Sequence, residues 1–246
     1  MPAYAVLLKK VVTAVSQISI PIFPLKTVLF PGTLVRLQVV ETRYRALVDA
    51  AVSRYQRCFG VAFTREGEGS AESVFAPDWR KNVAAGLSPV GTMAQILHLT
   101  REKNAHVNVI AVGKERFRVV SLDPSGAYPV AVVEDAPLRA VASPQVHALE
   151  RQARTIATEY FSLLLNLSEG DSERLKLPAA AVPLANFIAA NVQISLDRRQ
   201  HLLEFNELET LLGEEIQLLE RELTRIQWFE AQKHLRPKGP APFSLN

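Results

Sequence analysis

The chain has 246 residues, of which 48% are hydrophobic and 22% are charged. This length and composition allow a sizeable core, which excludes a globally disordered chain. The formal charge of +3 comes from well-mixed positive and negative residues, which argues against a polyelectrolyte binder with a clustered basic face.

Residues 1–16 form a mildly amphipathic amino-terminal extension. Lys9 and Lys10 interrupt its apolar run, which makes it a poor signal peptide, and no run reaches the roughly 18 apolar residues of a membrane span. Cys58 is the only cysteine, which excludes an intramolecular disulfide and a cysteine-rich zinc site. These features predict a soluble, cytoplasmic protein in a reducing compartment, with no membrane partner.

Residues 17–137 have the pattern of a β-rich domain. Apolar residues in short runs or in alternation predict strands over 18–23, 33–40, 59–64, 90–100, 106–112, 116–120 and 128–133. Between the second and third strands, Tyr44, Leu47 and Val48 share one helical face, so a helix is predicted over 41–54. Several short strands with one helix predict a small closed or partly closed β-barrel.

Residues 138–236 change to helical patterning. Ser143 followed by Pro144 is a typical helix start, because serine caps the first turn and proline fits the first helical position. Helices are therefore predicted over 143–167, 183–192, 195–205 and 206–235. The tail over 237–246 contains Pro237, Pro240 and Pro242, and an irregular conformation is expected there.

The last predicted helix has more apolar positions than a single stripe holds. Leu211, Leu218 and Trp228 lie off its main apolar face. Either the remaining helices cover both sides or a second subunit does, and intramolecular packing is favoured. We therefore expect a monomer or a weak dimer.

No catalytic or metal-binding constellation is evident. Residues 86–91 have the glycine spacing of a phosphate-binding loop, but Pro89 interrupts the loop and Thr92 takes the place of the lysine. His98 and His106 are expected on the two strands of a predicted hairpin, where two imidazoles can start a metal site, but no third ligand is evident. No cofactor or metal is predicted, and an enzyme with an unrecognised site stays an alternative.

Several segments, taken in order, resemble the amino-terminal domain of Lon proteases over about residues 19–223. The first is Ile22-Phe23-Pro24-Leu25 with Val28-Leu29-Phe30-Pro31-Gly32. The second is Val90-Gly91-Thr92-Met93-Ala94-Gln95-Ile96, and the third is Val112-Gly113 with Arg116. The resemblance implies an α+β fold in which a helical bundle with a long last helix follows a PUA-like β-barrel.

Four positions of these motifs have structural roles in this interpretation. Pro24 limits strand extension and fixes a turn. Gly32 and Gly91 permit backbone geometry or a close approach that a Cβ forbids. Arg116 is expected to bind carbonyl groups at the end of a strand.

The resemblance also implies recognition of polypeptide. The chain ends where a full Lon protease continues into its ATPase and peptidase domains, so we expect a stand-alone, non-catalytic module. Its hypothesised partners are unfolded or exposed polypeptide and a protease or chaperone, which it serves as an adaptor or holdase-like factor. Aromatic and proline residues in predicted loops suggest an apolar groove at Phe30, Pro31, Tyr44, Phe75 and Trp79. The alternative is an RNA-binding PUA-like module, which predicts a contiguous basic face and strong salt dependence.

Overall fold

The computed structural model describes residues 17–65, 86–102, 106–167 and 175–235. Over these residues a β-rich half precedes a helical half, which is the α+β order that the sequence predicted. The strands are β1 (Ile18–Leu25), β2 (Leu34–Val39), β3 (Cys58–Phe63), β4 (Val90–Arg101), β5 (Val107–Asp123) and β6 (Val130–Asp135). The helices are α1 (Thr42–Arg54), α2 (Pro144–Leu167), α3 (Ala181–Asn191), α4 (Leu196–Glu204) and α5 (Leu208–Leu235).

The six strands form one sheet that closes on itself. Their order is β2-β5-β4-β3-β1-β6, and β6 also pairs with β5. The β1–β3 pair is parallel, and the other pairs are antiparallel. Because β4 lies along one edge of β5 from Val107 to Arg118, β2 and β6 must lie end to end along the other edge.

Strand β5 is one continuous element, whereas the sequence predicted two strands separated at residues 113–115. The N–H of Gly113 donates to the carbonyl of Thr33 at 2.9 Å, and the carbonyl of Gly113 accepts from the N–H of Gly32 at 2.8 Å. These bonds keep the backbone extended through Gly113. A Cβ at Gly113 would overlap the carbonyl of Phe30, and Gly32 has a φ of +82°, so both positions require glycine.

Helix α1 packs on the barrel core. Its buried side chains are Tyr44, Leu47, Val48, Ala50 and Ala51. All of them except Ala50 join a cluster that includes residues of β1, β3, β4 and β5. The helical period predicted from the sequence therefore places this face against the strands.

The helical half buries its own core, which extends to the barrel. Ser143 Oγ accepts from the N–H of Val146 at 3.1 Å, and Ser195 Oγ accepts from the N–H of Arg198 at 3.4 Å. The predicted serine caps therefore form. In α5, Leu211 and Leu218 are buried within the chain, which confirms intramolecular packing for these two residues, whereas Trp228 is exposed.

One carboxyl group lies inside this helical core. Glu215 of α5 is 0% exposed, and neither of its carboxylate oxygens has a hydrogen-bond partner. Leu211 and Leu219, one turn before and after, are buried as well. Burial raises the pKa of Glu215 well above its usual range.

Arg116 connects the barrel to the helices. It is buried, and its Nη1 donates to the carbonyls of Leu203 at 2.7 Å and Phe205 at 2.6 Å, at the carboxyl end of α4. A cation is favourable there because the last carbonyls of a helix have no partners within the helix. Burial, and to a lesser extent the charge of Arg118, lowers the pKa of Arg116.

A second contact comes from the same helix. Nε2 of the buried Gln200 donates to the carbonyl of Val90 at 3.0 Å. Helix α4 is thereby held to both β4 and β5. Within the described part of the chain, no helix combines the length and the apolar content that crossing a bilayer requires.

We expect Arg116→Ala to lower the free energy of unfolding by about 3 kcal/mol, because two enclosed carbonyls lose a charged donor. The matched control is Arg118→Ala. Arg118 is partly exposed and lies 4.0 Å from Glu134, so its loss should cost less than about 1 kcal/mol. Urea unfolding followed by circular dichroism measures both, and equal losses would contradict the structural role of Arg116.

Glu215 gives a pH-dependent prediction. Its pKa is raised in the folded chain, so its contribution to stability is complete below the unfolded-state pKa and is lost as the pH rises towards the folded-state pKa. The stability of Glu215→Gln relative to the unmodified chain should therefore rise as the pH increases from the unfolded-state pKa of about 4.3 towards the folded-state pKa, with a slope of at most about 1.4 kcal/mol per pH unit. Urea unfolding across this range tests it, and a difference that does not vary with pH would refute a buried, protonated carboxyl.

Candidate binding groove

A groove opens where the carboxyl ends of β1 and β2 meet the start of α1. We term it the β1–α1 groove. Its volume is about 490 Å³, and most of its lining is apolar. The lining residues are Phe23, Pro24, Leu25, Lys26, Gln38, Val39, Val40, Glu41, Tyr44 and Thr64.

The groove exists because β1 continues beyond the end of its pairing with β6. Strand β6 pairs with β1 from Ile18 to Pro21, and the N–H of Ile22 adds a bond to the carbonyl of Pro129 at 2.9 Å. From Phe23 to Leu25, β1 pairs with β3 on one edge, and no described strand pairs with the other edge. This stretch of open edge forms one wall of the groove.

Pro24 lies on that open edge. The carbonyl of Leu25 accepts from the N–H of Thr64 on the β3 side, at 3.0 Å. Because backbone groups alternate between the two edges of a strand, the carbonyl of Pro24 faces the open side. Proline has no N–H, so this edge offers an acceptor and no donor at this position.

Stacked aromatic rings form part of the groove. The rings of Phe23 and Tyr44 have centroids 4.4 Å apart and an interplanar angle of 14°. The Tyr44 hydroxyl is buried without a hydrogen-bond partner, and burial raises the pKa of Tyr44. The guanidinium of Arg43 lies 5.4 Å from the centroid of the Tyr44 ring. The ring is therefore held by its contacts with Phe23 and Arg43.

Charges of both signs lie at the groove. Glu41 and Arg43 form an ion pair of 2.6 Å at the start of α1, and Lys26 follows β1. Val40 at the end of β2 is 50% exposed beside them. The arrangement offers apolar surface with balanced charge, which suits an uncharged or apolar segment better than a polyanion.

The structure brings one of the five predicted binding residues to the groove, namely Tyr44. Phe30 is 1% exposed and packs in the core shared by the barrel and the helices, so it is not available to a ligand. Pro31 lines a separate cavity beside Arg116. Phe75 and Trp79 lie outside the described residues.

Of the four motif residues, Gly32 and Arg116 are described above, and Pro24 and Gly91 have separate roles. Pro24 lines the groove itself. A Cβ at Gly91 would overlap the carbonyl of Val61 and the ring of Phe117. Strand β4 can therefore lie this close to β3 and β5 only with glycine at this position.

The sequence interpretation missed Phe23, Leu25, Val39 and Val40 as lining residues. One signal was available in β2, where Arg36 and Gln38 occupy the outward positions of the alternation. Val40 has the same parity, so an apolar side chain stands at a position that alternation assigns to solvent.

Comparisons with known proteins agree on one family. A family model described as "ATP-dependent protease La (LON) substrate-binding domain" matches residues 19–221. The Lon protease of Anaeromyxobacter dehalogenans is 29% identical over 204 residues, which are 82% of this chain and 23% of that protein. Lon protease 2 of Myxococcus xanthus is 30% identical over 206 residues, with the same two shares. The chain spans about a quarter of the length of the curated relatives it matches.

Two solved structures show the same fold. One is the amino-terminal domain of a Lon protease from the Mycobacterium avium complex, with a TM-score of 0.62, 18% identity, and coverage of 82% of this chain and 98% of that one. The other is a Lon amino-terminal domain protein from Xanthomonas campestris, with a TM-score of 0.56, 22% identity, and coverage of 80% and 96%.

Two substitutions separate the ring of Tyr44 from its hydroxyl. Tyr44→Phe should leave the free energy of unfolding within about 1 kcal/mol of the unmodified chain, because the hydroxyl has no partner to lose. Tyr44→Ala should lower it by about 3–5 kcal/mol, because the stacked ring leaves a cavity. Thermal and urea unfolding measure both changes. A large loss in the phenylalanine variant would show that the hydroxyl has a partner that this geometry lacks.

Proposed function

The chain belongs to the LON substrate-binding domain family, and from this premise we propose that it binds unfolded or exposed polypeptide segments in the β1–α1 groove. The family membership confirms the resemblance found in the sequence. We further propose that the chain acts by recognition alone, as an adaptor that presents bound segments to a protease or chaperone.

The observation that carries the proposal is the chemistry of the groove. Val40 and the partly buried Leu25 provide accessible apolar surface, and the buried Phe23–Tyr44 stack and Val39 form a rigid floor beneath it. Rigid aromatic surface binds apolar side chains with little loss of conformational entropy. Unfolded chains expose such side chains, whereas most folded proteins bury them.

Charge distribution favours polypeptide over RNA. Arg43, Arg101 and Arg118 each lie within 4.0 Å of a carboxylate, and Arg116 is buried. An arginine already paired with a carboxylate is a weaker phosphate ligand. These four arginines are therefore poorly suited to binding phosphate, which supports polypeptide over RNA as the ligand.

A single charge in the groove tests the location of the site. Val40→Asp should weaken binding of a reduced and alkylated, permanently unfolded protein by about tenfold or more, because an apolar segment would then cover a carboxylate. The matched control is Val120→Asp on β5, where the valine is 47% exposed and lines none of the groove. Fluorescence anisotropy measures the affinities, and equal weakening by both variants would place the site elsewhere.

Salt dependence distinguishes the two ligand classes in the same assay. Binding through apolar contacts should persist when salt rises from about 50 to about 200 mM, whereas binding through several phosphate contacts falls by orders of magnitude over that range. Retention of polyuridylic acid with a steep loss in salt, together with no binding of the unfolded protein, would contradict the proposal.

A further inference from the structure

The outer edge of β2 carries backbone groups without a strand partner. Strand β2 stands at the end of the strand order and pairs with β5 from Leu34 to Val39. At its start, the carbonyl of Thr33 accepts from the N–H of Gly113 in β5 at 2.9 Å. This bond fixes which residues of β2 direct their backbone groups towards β5.

The alternation of backbone groups along β2 shows which of its other N–H and carbonyl groups face β5 and which face away. Val35, Leu37 and Val39 have the parity of Thr33, so their N–H and carbonyl groups face β5. The residues of the opposite parity are Leu34, Arg36 and Gln38. Their N–H and carbonyl groups face away from β5, and no strand in the described ranges pairs with them.

This edge has few of the features that normally protect an open strand edge. It contains no proline, and only the side chain of Arg36 places a charge on it. Leu34 and Val40, at its two ends, are exposed apolar residues. The open end of β1, by contrast, carries Pro24 and offers no donor there.

The edge and the groove are continuous. Gln38 belongs to the outward-facing parity of β2, and it also lines the β1–α1 groove with Val39 and Val40. A chain that pairs with Arg36 and Gln38 would therefore reach the groove with the side chains of its next residues. The same segment can satisfy the backbone groups of β2 and bury its apolar side chains against Val40 and Tyr44.

We infer that bound polypeptide adds to the outer edge of β2 as an extended strand. This inference rests on the proposed function and specifies its mode. The ligand class is an extended segment that alternates apolar and small polar residues. Its backbone pairs with Leu34, Arg36 and Gln38, and its apolar side chains enter the groove. Recognition of the backbone tolerates many sequences, which suits a module that receives varied segments.

Amide hydrogen exchange tests the pairing within a single strand. A synthetic nonapeptide in which leucine alternates with serine serves as the probe. At saturation it should slow exchange of the Arg36 and Gln38 amides by about tenfold or more, because these N–H groups gain acceptors. The amides of Val35 and Leu37 already bond to β5 and are the internal controls. Unchanged exchange at Arg36 and Gln38 under saturating peptide would overturn the inference.

Methylation of the peptide backbone provides a readout that leaves the protein unaltered. One version carries N-methyl groups on the leucines and another on the serines. Only one of these sets faces β2, so one version should lose binding by about tenfold or more while the other binds nearly as well as the parent. Equal affinities for both versions and the parent would contradict strand addition and leave binding in the groove intact. Failure of the parent peptide to bind would contradict the proposed function as well.

A variant of β2 completes the test. Gln38→Pro removes an outward N–H without removing a bond to β5, and Gln38→Ala controls for the lost side chain. The proline variant should bind the nonapeptide about five- to tenfold more weakly than the alanine variant. Equal binding by two folded variants would count against the inference. If the proline variant does not fold, the methylated peptides decide.

Discussion

The architecture depends on β5, because β2 and β6 share one of its edges. Strand β5 receives β4 along one edge, and along the other it receives first β2 and then β6. The barrel closes through β6 and β1, so β2 never pairs with β1. The end of β1 and the outer edge of β2 are therefore both left open, and α1 packs Tyr44 onto Phe23 beside them. The apolar groove is a consequence of this closure rather than an addition to it.

The stretch of β5 between its pairing with β2 and its pairing with β6 also connects the barrel to the helices. Residues 113–116 lie after the pairing with β2 and before the pairing with β6. From this stretch Arg116 reaches the terminal carbonyls of α4, while Gln200 of α4 bonds back to β4. Phe30, on the turn between β1 and β2, packs into the core shared with the helices. The barrel thus contacts the helical half at three places, namely β4, β5 and the β1–β2 turn. These contacts hold the two halves together through close packing.

Local patterns predicted the elements well because they depend on neighbouring residues. Ser143 and Ser195 cap helices as their sequence context indicated, and the α1 face follows its helical period.

The features that the sequence did not predict depend on contacts between residues far apart in the chain. The sequence predicted a break between strands at residues 113–115, but the backbone hydrogen bonds of Gly113 to the β1–β2 turn keep β5 continuous. Phe30 was predicted to line a binding groove because it is an aromatic residue in a predicted loop. In the structure, helices far along the chain cover it. The lining of the groove comes mainly from the ends of β1 and β2 and from the start of α1, and only Tyr44 of the predicted binding residues belongs to it.

The central claim is that polypeptide binds where the end of β1 and the outer edge of β2 have no strand partner. The most direct measurement uses the chain with ¹³C-labelled methyl groups and a saturating amount of unlabelled unfolded polypeptide, and records intermolecular nuclear Overhauser effects. The account predicts contacts to the methyl groups of Leu25 and Val40, which line the groove. Contacts confined to exposed apolar residues elsewhere, such as Leu97 or Val141, would contradict it.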